Sequence, residues 1–123
     1  MRLATLENGR PDGELVVVSA DGARYLATAG LSLLSAMEDW QAAEPDLLRL
    51  AALLEAGGGG RLDPARLRAP MPRSWQWLDG SAFGTHGELM QIAFGLPPID
   101  TDRPLMYQGI SDRFYGCLLY TSP

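Results

Sequence analysis

Apolar and polar positions along the first thirty residues alternate in the manner of short β-strands. The pattern predicts strands over 2–6, 14–19 and 24–27, the second of them rich in β-branched residues. Between the second and third strands, Asp21-Gly22 is a turn signal typical of a β-hairpin. We therefore expect a small β-meander, a half-open barrel or sheet that has to be covered on one side.

From Leu31 onward the apolar spacing changes to that of a helix. A first helix is predicted to begin near Ser32 or Ser35 and to be broken at Pro45, which suits the first turn of a second helix. The second helix is indicated by six apolar residues: Leu47, Leu48, Leu50, Ala51, Leu53 and Leu54. We interpret this pair of helices as core packing rather than as a cofactor site.

Four consecutive glycines, Gly57 to Gly60, are predicted to end the second helix. A phosphate-binding loop would follow a strand and carry Lys-Ser or Lys-Thr, so a linker is the better interpretation. Extended chain should continue to Pro72, with its apolar residues along a sheet surface. Beyond it the pattern predicts a glycine-weakened helix within 81–94, a proline-rich loop and a short strand from Leu105.

Composition narrows the classes of function. The chain has 123 residues, 46% of them hydrophobic and 20% charged, with a net charge of −5 and arginine as its only basic residue besides one histidine. No basic patch indicates nucleic-acid binding, and no apolar run approaches the ~18 residues that span a bilayer. The single cysteine, Cys117, excludes an internal disulfide and a cysteine-based zinc site. We expect a cytoplasmic protein.

The candidate chemistry lies between residues 75 and 107. Asp79 precedes His86, the only histidine, by seven positions and follows Trp75 and Trp77, which would supply an apolar wall. A carboxylate can hold a hard cation, and an imidazole can take a proton from water near neutral pH. The alternatives are structural: a turn or helix cap for Asp79, a surface or structural role for His86, and core packing for Tyr107.

Four segments resemble the fumarylacetoacetate hydrolase family, and together the likeness covers residues 1–116. Two of them resemble the short N-terminal domain of bacterial members and its passage into the catalytic domain; the other two carry the candidate site. The segments read MRLATL with DGELVVVS (1–6 and 12–19), DPARLRAPMPR (63–73), WQWLDGSAF (75–83) and PLMYQG (104–109).

The resemblance implies roles for three residues. Asp79 matches a metal-ligand aspartate, His86 the histidine that acts as general base on a water, and Tyr107 a tyrosine that faces the substrate pocket. The remaining ligands of the Mg²⁺ or Ca²⁺ site, a Glu-x-Glu pair and a further aspartate, lie downstream in the family and are absent from this sequence. Two departures, Gly80-Ser81-Ala82 after the aspartate and Ala93-Phe94-Gly95 where fumarylacetoacetases carry an arginine, leave the substrate open.

We therefore expect an α+β protein with an N-terminal domain and linker over 1–70 and the start of a β-rich catalytic domain over 71–116. The resemblance implies a metal-dependent hydrolase that cleaves a carbon–carbon bond in a 1,3-dicarbonyl acid, in aromatic amino acid catabolism, with the complete protein a homodimer. The fragment alone is expected to be inactive. A related isomerase, hydratase or decarboxylase is the first alternative, and a non-catalytic interaction module is the second. Residues 117–123 are expected to be a non-native tail, or else a C-terminal strand.

Overall fold

The computed structural model describes residues 1–81, 83–98, 105–109, 113–114 and 116. The predicted tail, 117–123, lies outside these residues. The strands are β1 (Arg2–Leu6), β2 (Glu14–Val18), β3 (Arg24–Ala27), β4 (Gly60–Arg61), β5 (Trp77–Ser81) and β6 (Leu105–Gly109); the helices are α1 (Leu33–Glu38), α2 (Trp40–Glu55) and α3 (Gly84–Phe94). The expected α+β class is confirmed.

The first sheet is antiparallel and runs in the order β1-β2-β3-β4. Three of its strands and the turn at Asp21-Gly22 agree with the sequence pattern; the Asp21 carboxylate accepts from the Ser19 hydroxyl and the Ala23 amide, which closes the turn. The fourth strand, Gly60–Arg61, emerges from the glycine run and pairs with β3. This strand was not predicted, because two residues, one of them a glycine, carry no strand pattern.

The central strand β2 is buried on both faces, which explains its unbroken apolar run. Leu15 and Val17 pack against Leu47 and Leu54 of α2 on one face. On the other face Val16 packs with two buried residues from the ends of the neighbouring segments, Leu6 and Leu62. The sequence predicted a sheet that is covered on one side. In the structure both sides are covered, because the chain after β4 covers the second side.

Helix α1 begins as the sequence indicated, with Ser32 at the N-cap and Ser35 completing a capping box. The predicted break at Pro45 is wrong. The helix ends at Glu38, and the Asp39 side chain accepts from the Ala42 amide to start α2, so Pro45 lies inside α2. Pro45 has no N–H to donate to the preceding turn, and the leucine face of α2 packs on the sheet.

The extended segment after β4 is hydrogen-bonded to the edge of β1. A short 3₁₀ turn at Pro64–Arg66 leads into it. The Glu7 amide donates to the Arg66 carbonyl at 3.0 Å, and the Arg68 amide donates to the Thr5 carbonyl at 3.0 Å. Further along, the Phe114 amide donates to the Pro72 carbonyl at 2.7 Å. This pairing covers an edge that would otherwise be open.

Backbone contacts divide the chain into two compact units. The first comprises residues 1–74 with 112–123, and the second comprises residues 75–111. In the second unit β5 and β6 form an antiparallel pair, and α3 follows β5. Within the described part of the chain, no helix has the length and apolar character needed to cross a bilayer.

Candidate functional site

Asp79 and Tyr107 lie directly opposite each other in the β5–β6 pair. The register joins Trp77 to Gly109, Asp79 to Tyr107 and Ser81 to Leu105. Side chains of directly opposed residues emerge on the same face, with Cβ atoms about 4.5–5.5 Å apart. The structure therefore brings together two of the three residues singled out in the sequence, although 28 positions separate them along the chain.

The same face of the strand pair carries Trp77, two residues before Asp79. An idealised Cβ placed on Gly109 would overlap the indole of Trp77, so the ring lies directly over this glycine. Leu78 and Met106 occupy the opposite face, because successive strand residues alternate. Acid, phenol and indole thus share one surface.

His86 does not belong to either of these strands; it is the third residue of α3. The helix begins after Phe83, whose side chain makes no capping hydrogen bond, and it ends at Gly95 in the left-handed conformation. Every described residue of α3 keeps some exposure to solvent, and the His86 side chain is exposed. The position of His86 on a helix agrees with the sequence prediction; its role as a general base stays a prediction.

The carboxylate of Asp79 is the type of ligand that a hard cation binds, but one carboxylate gives too few ligand atoms for a complete site. A carboxylate oxygen such as that of Asp79 is a ligand that Mg²⁺ and Ca²⁺ accept. Six or more oxygens surround these ions, and the described residues contain no group of three or more His, Cys, Asp or Glu side chains that could hold a metal. Asp79 can therefore be one ligand of a cation site, and the described residues alone do not complete it.

The first unit contains a groove of about 640 Å³. It is formed by the turn after β3 and by the outer surfaces of α1 and α2, and it includes Asp39, Asp46 and Arg49. Asp39 caps α2, and Asp46 pairs with Arg49 at 3.3 Å. Because these side chains have structural partners, we assign the candidate chemistry to the strand pair rather than to this groove.

Comparison with known families matches residues 1–73 to the fumarylacetoacetase N-terminal domain 2. This match covers more than half of the chain. The chain belongs to the fumarylacetoacetate hydrolase family. The four-stranded sheet, both helices α1 and α2 and the segment paired with β1 all lie within the matched residues. No curated protein matches the chain.

The family match ends before the candidate site begins. Asp79, His86 and Tyr107 all lie beyond residue 73, so membership rests on the N-terminal domain and the three roles remain predictions. Sequence reasoning did not single out Gly109, which supports the Trp77 ring. The only local signal was a glycine after Gln108, and its meaning depends on a strand more than thirty residues away.

Proposed function

We propose that this fumarylacetoacetate hydrolase family chain forms part of a metal-dependent hydrolase that cleaves a carbon–carbon bond in a 1,3-dicarbonyl acid. Fumarylacetoacetate-like and acylpyruvate-like acids are the substrate class. The observation that carries the proposal is the apposition of Asp79 and Tyr107 across two strands, because it joins an acidic ligand to a hydroxyl donor on one surface. Membership of the family supports a hydrolase of this kind.

The proposed cation is Mg²⁺ or Ca²⁺, with Asp79 as one of its ligands. A bound divalent cation would polarise the substrate carbonyl and stabilise the negative charge that develops on the leaving carbon fragment. Further ligands have to come from outside the described residues, since Asp79 is a single carboxylate. A homodimer in the cytoplasm, acting in aromatic amino acid catabolism, remains part of the proposal.

We assign proton transfer and orientation of the substrate to residues of this chain. The imidazole of His86 accepts a proton from a water molecule, which then attacks the substrate carbonyl. The Tyr107 hydroxyl donates a hydrogen bond to a substrate oxygen held beside Asp79. The exposed position of both side chains leaves them accessible to a small molecule.

Product analysis with the complete protein tests this proposal against the alternatives within the family. The protein is incubated with an acylpyruvate and Mg²⁺, and the products are separated and identified. Hydrolysis gives pyruvate and the acid of the acyl group in equal amounts. Loss of carbon dioxide, or a rearranged product of unchanged mass, would instead assign the chain to a decarboxylase or an isomerase.

A further inference from the structure

Trp77 is seated on Gly109 in a way that only glycine permits. The two residues are directly opposed in the β5–β6 register. A methyl group on Gly109 would overlap the Cε2, Cζ2 and Nε1 atoms of the indole. The ring therefore lies over the backbone of β6 and is held at that position by the strand pairing.

The indole of Trp77 lies two residues along β5 from Asp79 of the candidate site. Residues two apart on a strand share a face and are about 6–7 Å apart. Trp77 keeps 38% of its surface exposed and Tyr107 keeps 56%, so both rings are open on the face that carries Asp79. A molecule held at Asp79 that extends by a few carbons along the strand would contact the indole.

The indole and Asp79 on this face favour an uncharged extension. Asp79 is acidic, and among the described residues of 75–109 there is no lysine or arginine. The face of an aromatic ring carries negative potential, which repels an anion and accepts alkyl groups. A second carboxylate at the far end of a substrate would find no cation among these residues.

We infer that Trp77, supported by Gly109, is a specificity-determining residue that contacts the acyl tail of the substrate and selects apolar tails over tails that end in a carboxylate. This assignment rests on the proposed function, because the substrate is placed by its dicarbonyl head at Asp79. It narrows the proposed substrate class to acylpyruvate-like acids with apolar tails, because the acyl tail of a fumarylacetoacetate-like acid ends in a carboxylate.

Steady-state kinetics of the complete protein with two acylpyruvates test the assignment. One substrate has a straight alkyl tail, and the other has a tail of equal length that ends in a carboxylate. We expect the unaltered protein to prefer the alkyl tail by about 10-fold or more in kcat/KM. Trp77→Ala should abolish most of this preference, chiefly through a raised KM for the alkyl substrate, and Trp77→Phe should retain part of it.

Two further variants separate binding from folding. Gly109→Ala displaces the indole without removing it, and it should lower the preference as Trp77→Ala does. Leu78→Ala removes an exposed apolar side chain from the opposite face of the same strand, and it should leave the ratio of the two kcat/KM values unchanged. Circular dichroism of each variant reports whether it is folded.

The outcomes are distinguishable. Equal losses for both substrates in Trp77→Phe and Gly109→Ala would show that Trp77 is structural and would overturn the assignment. A preference of the unaltered protein for the carboxylate tail would overturn it as well, while leaving the proposed hydrolase intact. Cleavage of neither acylpyruvate by the unaltered protein would overturn the proposed function itself, and the role of Trp77 with it.

Discussion

Asp12 and Arg73 form a bidentate ion pair that joins the turn after β1 to the end of the covering segment, residues 62–73. The guanidinium donates from Nε to Oδ1 and from Nη2 to Oδ2, both at 2.8 Å. The hydrogen bond from Arg73 lowers the pKa of the Asp12 carboxyl below its ordinary value of 3.8. The pair therefore stabilises the folded state only while Asp12 is ionised.

Replacement of Asp12 by Asn should lower the free energy of unfolding at pH 7 by about 0.5–1 kcal/mol, because Arg73 is 42% exposed and solvent screens the pair. A lowered pKa means that this contribution is present above pH 3.8 and is lost as the pH falls through the folded-state pKa. Urea unfolding at pH 7 and at strongly acidic pH should show the difference between variant and unaltered protein closing in acid.

Asp46→Asn is the matched control for this experiment. Asp46 pairs with Arg49 through one contact of 3.3 Å, and the two side chains are 78% and 62% exposed. Its effect at pH 7 should be smaller than that of Asp12→Asn. A difference for Asp12→Asn that persisted in strong acid would show that the carboxylate charge is not its source.

The glycine run after α2 offers a second test, since two of its members differ only in their surroundings. Gly57 and Gly59 have φ of +96° and +91°. A Cβ on Gly57 meets nothing within 4 Å, whereas a Cβ on Gly59 would lie 2.7 Å from the Tyr25 carbonyl oxygen and 2.7 Å from a Leu54 methyl. Gly57→Ala should cost about 1–2 kcal/mol from backbone strain alone.

Gly59→Ala should cost about 1–3 kcal/mol more than Gly57→Ala, because overpacking adds to the strain. Thermal or urea unfolding followed by circular dichroism measures both variants. Equal costs would mean that the glycines serve only as a flexible connection, as a linker interpretation requires.

Amide hydrogen exchange should be slower in the four-stranded sheet than in the β5–β6 pair. Val16 and Val17 are fully buried and lie in a strand that is paired on both sides, while Met106 and Tyr107 are more than half exposed in a pair of two strands. We expect the amides of Val16 and Val17 to be among the slowest to exchange and that of Tyr107 to exchange far faster. Equal protection of Val17 and Tyr107 would contradict this ranking.

Variants of His86 and Asp79 in the complete protein should separate catalysis from cation binding. His86→Ala should reduce turnover about 10²–10⁴-fold. It should leave the Mg²⁺ affinity nearly unchanged, because a general base takes a proton from the water and does not bind the cation. Asp79→Ala should weaken both. Calorimetry and an acylpyruvate assay measure the two quantities in parallel.

Glu88→Gln provides the control on the same helix, since Glu88 is an exposed acidic residue with no assigned role. It should change neither quantity. Full activity of His86→Ala would show that the resemblance at this position is accidental.

The sequence predicted the local elements better than the relations between them. The strand pattern of β2 and the capping serines of α1 are short-range signals, and both predictions agree with the structure. Pro45 misled because the aspartate that caps α2, Asp39, lies before it, so the proline falls inside a helix whose leucine face packs on the sheet. The apposition of Asp79 and Tyr107 depends on long-range strand register, for which neither segment carries a signal of its own.

The hydrogen bond between the Phe114 amide and the Pro72 carbonyl has an architectural consequence. The chain leaves the first unit after residue 74 and is back against the same covering segment by residue 114. Residues 75–111 are therefore inserted between two stretches of chain that are bonded to each other within the first unit. Such a segment can lengthen, shorten or change its chemistry during evolution while the sheet beneath keeps its pairing.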